Sequence, residues 1–199
     1  MVSRRLHRAL LRAQEAKSIL RIERKPKFAD RVDGIVLRIG EQWILVAQTA
    51  DGGYFDGYVV LRLRDVARVT SDETFAQEFV KTQPEWPPSF SVDLDLDDAA
   101  SALGGFARQG ELVGIQKENE RSAIWIGTLD DVTSRYIYLN EVRPDATWHP
   151  RPLGYKLRSI TMAEVGTRYL LGLAAVARAG ASSVRPEMDG DVVEFRFNN

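Results

Sequence analysis

The sequence predicts a mainly β protein with flanking helices (α+β), organised as two tandem five-stranded barrels joined by a proline-rich, partly helical linker. Three observations predict this fold: short β-rich runs bounded by turn residues, a central proline cluster, and a similar residue pattern on both sides of that cluster. Closely spaced short strands favour a barrel or sandwich over alternating strands and helices. Hydrophobic residues make up 44% of the chain, which is enough for a folded core.

The chain is predicted to begin with a helix and to continue into strands. Ser3 is a suitable N-cap for a helix over residues 3–18, in which small and aliphatic residues recur at helical spacing. Strands are predicted over residues 32–39, 43–48 and within 58–69, because these runs are rich in β-branched, aliphatic and aromatic residues.

A linker is predicted in the middle of the chain. Residues 83–92 contain three prolines, which cannot continue a helix or a central strand. After them, Asp97 or Asp98 can cap a short helix that runs to about Ala107. The predicted domains are 1–82 (basic helix and first barrel), 83–110 (linker with short helix) and 111–199 (second barrel with a C-terminal strand).

An internal repeat supports the two-barrel organisation. Residues of similar type recur first at an offset of 93 and then, after a one-residue shift, at an offset of 94. The pairs include Gly34 and Gly127, Trp43 and Tyr136, Val46 and Leu139, Leu63 and Leu157, Arg64 and Arg158, and Val66 and Ile160. A glycine inside a strand commonly allows a bend or bulge, so Gly34 and Gly127 are predicted to be structural.

The repeated pattern resembles the Sm and Sm-like family of glycine-bent, five-stranded barrels, here as two degenerate copies. The resemblance rests on GIVLRIGEQWILVAQTADGGYFDGYVVLRLRDVARV from Gly34, and on GTLDDVTSRYIYLNEV with GYKLRSITMAEV from Gly127 and Gly154. It covers about two thirds of the chain and implies the fold of each half. It also implies that RNA is a possible ligand.

The family's RNA-binding signatures are absent. Sm proteins that bind RNA usually carry an Asp-x-x-x-Asn loop and an Arg-Gly step. At the first position this chain has residues 40–42 (GEQ) and 133–135 (TSR), and at the second it has 62–63 (RL) and 156–157 (KL).

No motif predicts an enzyme, a metal site or a cofactor. The chain has no cysteine, which excludes disulfides, thiolate zinc sites and a cysteine nucleophile, and its two histidines are too few for a histidine-based metal site. Phosphate-binding glycine loops and nucleophile elbows do not occur. We therefore predict a non-enzymatic protein without cofactors. The absence of cysteine and of a continuous apolar segment further predicts a cytoplasmic location without membrane association.

The basic start of the chain is the candidate binding region. Residues 1–31 carry ten Lys or Arg against three Asp or Glu, an asymmetry that can mark a site for nucleic acid or an acidic partner. Two tryptophans in proline-containing loops are candidate partner contacts. The candidate residues are Arg5, Arg8, Arg12, Arg21, Arg24, Lys25, Lys27, Trp86 and Trp148.

Three functional hypotheses follow from these features. The first is a non-catalytic binding or interaction protein, acting as a scaffold or regulator, whose partner is another protein or a second copy of itself. The second is an RNA-binding Sm-like protein that uses the basic N-terminal segment, with no DNA binding expected. The third is an enzyme that uses spatially assembled carboxylates, which would leave no spacing signature.

Overall fold

The mainly β prediction is confirmed by the computed structural model, which describes residues 4–25, 31–118 and 120–183. In the first half, helix α1 is Arg4–Ala16 and the short helix α2 is Ala76–Phe79. The strands of this half are β1 Ile19–Arg24, β2 Val32–Ile39, β3 Trp43–Ala50, β4 Tyr54–Arg62 and β5 Val66–Ser71. The predicted N-cap Ser3 lies outside the described residues, and so do residues 184–199 at the end of the predicted second domain with its C-terminal strand.

The second half repeats this succession of elements. It begins with α3 Ala99–Ala107 and closes with α4 Arg168–Ser183. Its strands are β6 Val113–Lys117, β7 Glu120–Val132, β8 Tyr136–Glu141, β9 Leu153–Lys156 and β10 Ile160–Val165.

All ten strands belong to one antiparallel sheet with the order β5-β1-β2-β3-β4-β10-β6-β7-β8-β9. The first five strands and the second five therefore have the same internal order. Two separate closed barrels are not confirmed, because β4 pairs with β10 and joins the halves into one open sheet. The ends of this sheet are β5 and β9. The domain boundaries 1–82, 83–110 and 111–199 stay a prediction.

The repeat extends to the pairing of individual residues. Leu20 pairs with Gly34 across β1 and β2, and Val113 pairs with Gly127 across β6 and β7, which are the same positions shifted by 93. A register shift lies between Val36 and Arg38 in β2, and its counterpart lies between Leu129 and Asp131 in β7. Both halves thus bend at the same place.

Gly34 and Gly127 occupy positions where the neighbouring strand comes very close. A Cβ on Gly34 would lie 2.3 Å from the Ala47 carbonyl oxygen, and one on Gly127 would lie 2.3 Å from the Asn140 carbonyl oxygen. Backbone atoms cannot move aside as a flexible side chain can, so glycine is required here by the sheet itself. The structural role predicted for these glycines is confirmed.

The run over 58–69 is not one strand. It is interrupted by a 3-10 turn, Leu63–Asp65, between β4 and β5, and an equivalent turn, Leu157–Ser159, separates β9 from β10. Each turn redirects the chain, so that the strand after it pairs with the first strand of its own half. Sequence alternation alone does not reveal this change of direction.

Helix α3, in the predicted linker, is part of the hydrophobic core. Asp98 caps α3 by accepting a hydrogen bond from the Ser101 N–H at 2.8 Å, as predicted, and this bond from Ser101 holds the pKa of Asp98 below its ordinary value. Ala102, Leu103 and Phe106 of α3 are fully buried in the cluster that contains residues of both halves. The linker helix therefore fastens the two halves together.

Helix α1 packs one face on the first half and exposes its arginines. Leu10 and Ala13 are buried against β2 and β5, in a cluster with Ile22 and Val36. The opposite face, with its arginines, is exposed. None of the helices among the described residues is long and apolar enough to cross a bilayer.

Asp72 fastens the loop after β5 to β1. Its carboxylate accepts hydrogen bonds from the N–H and the hydroxyl of Thr74, at 2.6 and 2.5 Å. It also forms an ion pair with Arg21 at 2.9 Å. Burial of Asp72 acts to raise its pKa, but the Thr74 and Arg21 contacts together outweigh burial and lower the pKa.

Replacing Asp72 by asparagine should therefore lower the free energy of unfolding by about 1 kcal/mol at neutral pH. A carboxyl group with a lowered folded-state pKa stabilises the fold above its unfolded pKa and loses that contribution as pH falls. The difference between the two proteins should then shrink in acid, as measured by urea unfolding at several pH values. A difference that stays constant with pH would contradict this role.

Candidate ligand-binding cavity

A cavity of about 830 Å³ opens between the two halves. It is lined by loop and turn residues of both halves and by the start of α3. The lining residues are Glu41, Gln42, Trp43, Arg62, Arg64, Asp98, Ala99, Ala100, Ser134, Arg135, Tyr136, Lys156, Leu157 and Arg158.

The repeat places equivalent positions of both halves in this lining. Gln42 and Trp43 correspond to Arg135 and Tyr136, and the turn after β4 corresponds to the turn after β9. The same hydrogen bond joins the loop to the turn in both halves. The Leu63 N–H donates to the Gln42 carbonyl at 2.7 Å, and the Leu157 N–H donates to the Arg135 carbonyl at 3.0 Å. Each half thus presents a loop before its third strand beside a basic turn.

Local hydrogen bonds fix both loops. In the first half, the Trp43 N–H donates to the Leu96 carbonyl at 3.0 Å, so the linker holds the loop. In the second half, the Thr133 hydroxyl oxygen accepts from the Tyr136 N–H at 3.0 Å. Because these hydrogen bonds hold the backbone of both loops, the Cα positions of the loop residues that line the cavity are defined.

Positive charge dominates the lining. Five cationic side chains face two carboxylates, those of Glu41 and Asp98, and Asp98 already caps α3. The cationic side chains are those of Arg62, Arg64, Arg135, Lys156 and Arg158. Cations that converge from separate segments raise the local concentration of an anionic ligand.

The cations of the first half are neutralised within the protein. Arg62 is almost fully buried, and its guanidinium contacts Asp65 and Glu118, each at 2.6 Å; Arg64 also contacts Glu118, at 2.9 Å. Partial burial acts to raise the pKa of Glu118, but the hydrogen bonds and charges of these two arginines lower it. Glu118 is therefore ionised at neutral pH and balances the arginines.

The cations of the second half are not paired in this way. Within the part of the chain that the structure describes, the side chains of Arg135, Lys156 and Arg158 have no carboxylate partner. All three are exposed at the cavity. They are the charges free to meet an anion from solution.

The partly exposed ring of Tyr136 and the buried ring of Trp43 accompany these charges. Tyr136 is partly exposed beside Arg135, and its ring lies 6.1 Å from that of Tyr138. Trp43 is 1% exposed, and its indole Nε1 has no acceptor among the described residues. The arrangement suits a ligand that combines negative charge with a flat ring.

The basic N-terminal candidates lie elsewhere. Arg5, Arg8 and Arg12 are exposed on α1 and do not line the cavity. Arg21 is paired with Asp72. Lys27 lies outside the described residues.

The other two basic candidates make contacts within the protein. Arg24 is buried and donates to the Gln116 side-chain oxygen at 2.6 Å, across the junction of the halves. The Lys25 ammonium is bonded to the Arg64 carbonyl. Among the described residues, the basic candidates of the N-terminal segment therefore do not form a single surface.

The two candidate tryptophans are half-buried and pack inside the protein. Trp86 lies against the cluster of Ile19, Ile35, Ala76 and Val80. Trp148 packs on the cluster that includes Leu170 of α4 and forms a bridge with Val142.

The predicted binding residues stay a prediction, and a different set of basic residues lines the cavity. The cavity is lined by residues of the four segments in which the Sm-type RNA-binding signature is absent, namely 40–42, 62–63, 133–135 and 156–157. The charge of these segments and their convergence in space define the cavity. Among the described residues there is no group of three metal-ligating side chains.

Comparison of the chain with protein-family models, with curated proteins and with solved structures gave no match.

Proposed function

We propose that this protein is a non-catalytic binding protein, built from two Sm-like halves, whose ligand is single-stranded RNA held in the cavity between them. The observation that carries the proposal is the set of three unpaired cations, Arg135, Lys156 and Arg158, beside the ring of Tyr136. The repeated strand order and the glycine-bent strands support the Sm-like part.

The chemistry of a single strand fits this cavity. Its phosphates pair with cations, and its unstacked bases stack on aromatic rings, which is the usual basis of single-strand binding. The cavity is open, and equivalent loops of both halves line it. Such a cavity suits a polymer that passes through it better than it suits a small molecule that must be enclosed. A cytoplasmic location, proposed from the absence of cysteine, would give access to RNA.

A cavity triple variant tests the proposal: Arg135→Gln, Lys156→Gln and Arg158→Gln together. Fluorescence anisotropy with a labelled single-stranded RNA should show binding by the unaltered protein and affinity at least about tenfold weaker for the variant. Since each phosphate contact contributes roughly 0.7 to the salt slope of single-strand binding, the slope of log affinity against log salt should fall by about 2.

A second triple variant is the matched control. Arg5→Gln, Arg8→Gln and Arg12→Gln remove the same charge from exposed positions of α1, and should change affinity by less than about twofold. If the α1 variant loses binding and the cavity variant does not, the basic N-terminal segment is the RNA site. If the unaltered protein binds no RNA at low salt, the proposal fails. A DNA strand of the same sequence measures discrimination by the 2′-hydroxyl.

A further inference from the structure

Three aromatic rings form an exposed surface beside the turn between β3 and β4. The ring centroids of Tyr54 and Phe79 lie 4.9 Å apart, and those of Phe75 and Phe79 lie 6.4 Å apart. Phe75 is 72% exposed and Tyr54 is 45% exposed. We call Tyr54, Phe75 and Phe79 the aromatic patch. A cluster of exposed aromatic side chains is typical of an interaction site.

Phe75 is held in place although it is exposed. A Cβ on Gly52 would lie 2.9 Å from the Phe75 Cζ, so the phenylalanine ring lies against the turn. The Phe79 N–H donates to the Phe75 carbonyl at 2.9 Å, and the hydrogen bonds of Thr74 to Asp72 fix the backbone just before Phe75. A contact with a ring that is already positioned costs little ordering entropy.

Carboxylates border the aromatic patch. Asp51 lies in the turn between β3 and β4, and Glu73 lies two residues before Phe75; both are exposed. Within the described part of the chain, neither carboxylate has an ion-pair partner, whereas Glu78 is paired with Lys81 at 2.8 Å. Unpaired carboxylates attract a cation and repel the phosphates of a nucleic acid. The surface therefore favours a basic protein segment over RNA.

The aromatic patch already holds one guanidinium of the protein itself. The Arg168 guanidinium carbon lies 5.4 Å from the centroid of the Tyr54 ring. Phe75 has no cation over its ring among the described residues. A guanidinium is planar and more weakly hydrated than an ammonium, so arginine stacks on an aromatic face better than lysine does.

We propose that the aromatic patch binds an arginine-bearing segment of a partner protein. One guanidinium stacks on Phe75 and pairs with the carboxylates of Asp51 and Glu73. This inference is independent of the proposed RNA binding, because none of these residues lines the cavity between the halves. The contacts are exposed and individually weak, so the affinity for a short segment is low.

A peptide titration of the full chain tests the proposal. The probe is a capped peptide of alternating glycine and arginine, added to isotope-labelled protein while the backbone amide signals are followed by NMR. The signals of residues 51–54 and 73–79 should shift. A peptide with lysine in place of arginine should bind at least about threefold more weakly, because an ammonium has no flat face.

Phe75→Ala should weaken binding of the arginine peptide by about fivefold, because the exposed ring supplies the cation–π contact. Leu11→Ala is the matched control. Leu11 is also an exposed apolar side chain, at 46%, but it lies on α1, and its loss should leave the affinity unaltered. Circular dichroism checks that both variants keep the native fold.

Two further variants separate the roles of charge and of the rings. Asp51→Asn with Glu73→Gln should weaken binding by about fivefold and reduce its salt dependence. Asparagine suits position 51, where φ is 43°. Arg168→Gln should instead strengthen binding by about twofold, because it frees the Tyr54 ring and removes a competing cation.

Three results would overturn the proposal. The first is an affinity that Phe75→Ala leaves unchanged while the variant keeps its native fold. The second is a shift of the same signals by single-stranded RNA and not by the arginine peptide, which would make the patch a nucleic-acid contact. The third is a shift of these signals when the protein alone is diluted, which would show that a second copy covers the patch.

Discussion

Replacing Phe106 by alanine should lower the free energy of unfolding by about 4 kcal/mol, because a fully buried phenylalanine is lost from the core shared by both halves. Its ring stacks on Phe90 of the linker at a centroid distance of 5.7 Å. Truncation would therefore loosen both the helix α3 and the segment that precedes it. Denaturant unfolding followed by circular dichroism measures the loss.

Phe75→Ala is the matched control for this prediction. Phe75 is 72% exposed, so its loss should change the free energy of unfolding by no more than about 0.5 kcal/mol. If Phe106→Ala is as mild as the control, helix α3 is not docked in the core shared by the two halves.

Gly127→Ala and Gly34→Ala should each destabilise the protein by about 3 kcal/mol, because the added methyl group meets a neighbouring backbone carbonyl at 2.3 Å. Equivalent positions should give similar losses, since both strands bend at the same point. Thermal unfolding of the two variants in parallel measures the comparison.

Gly172→Ala gives the opposite expectation and serves as the control. Nothing lies within 4 Å of a Cβ at this position of α4. Alanine is a better helix former than glycine, so stability should rise by up to about 1 kcal/mol. Losses at Gly34 and Gly127 no larger than ordinary surface changes would contradict the close approach of the strands.

Local sequence patterns were sufficient for much of the secondary structure. The strand over 32–39 begins and ends where it was predicted, and Asp98 caps the linker helix. These features depend on neighbouring residues, namely side-chain branching, glycine placement and a capping carboxylate. The turn that divides 58–69 was missed, because strand-forming residues lie on both sides of it.

The candidate cavity could not be predicted from local patterns. Arg135 and Lys156 are separated by a strand and a loop in sequence, and they meet only because β8 and β9 are neighbours in the sheet. The N-terminal arginines formed a conspicuous run of charge, yet the structure distributes them over an exposed helix face, an ion pair and a buried contact.

By itself the sequence determined that the chain is mainly β, that its halves repeat at offsets of 93 and 94, and that Gly34 and Gly127 are structural. Only the tertiary structure decided that the halves share one open sheet and that Arg135, Lys156 and Arg158 gather around one cavity. The physical reason is range: a strand depends on residues that are neighbours in the chain, and a repeat is visible in the order of residues without any contact. The pairing of β4 with β10 and the convergence of the charges depend on contacts between residues distant in the chain.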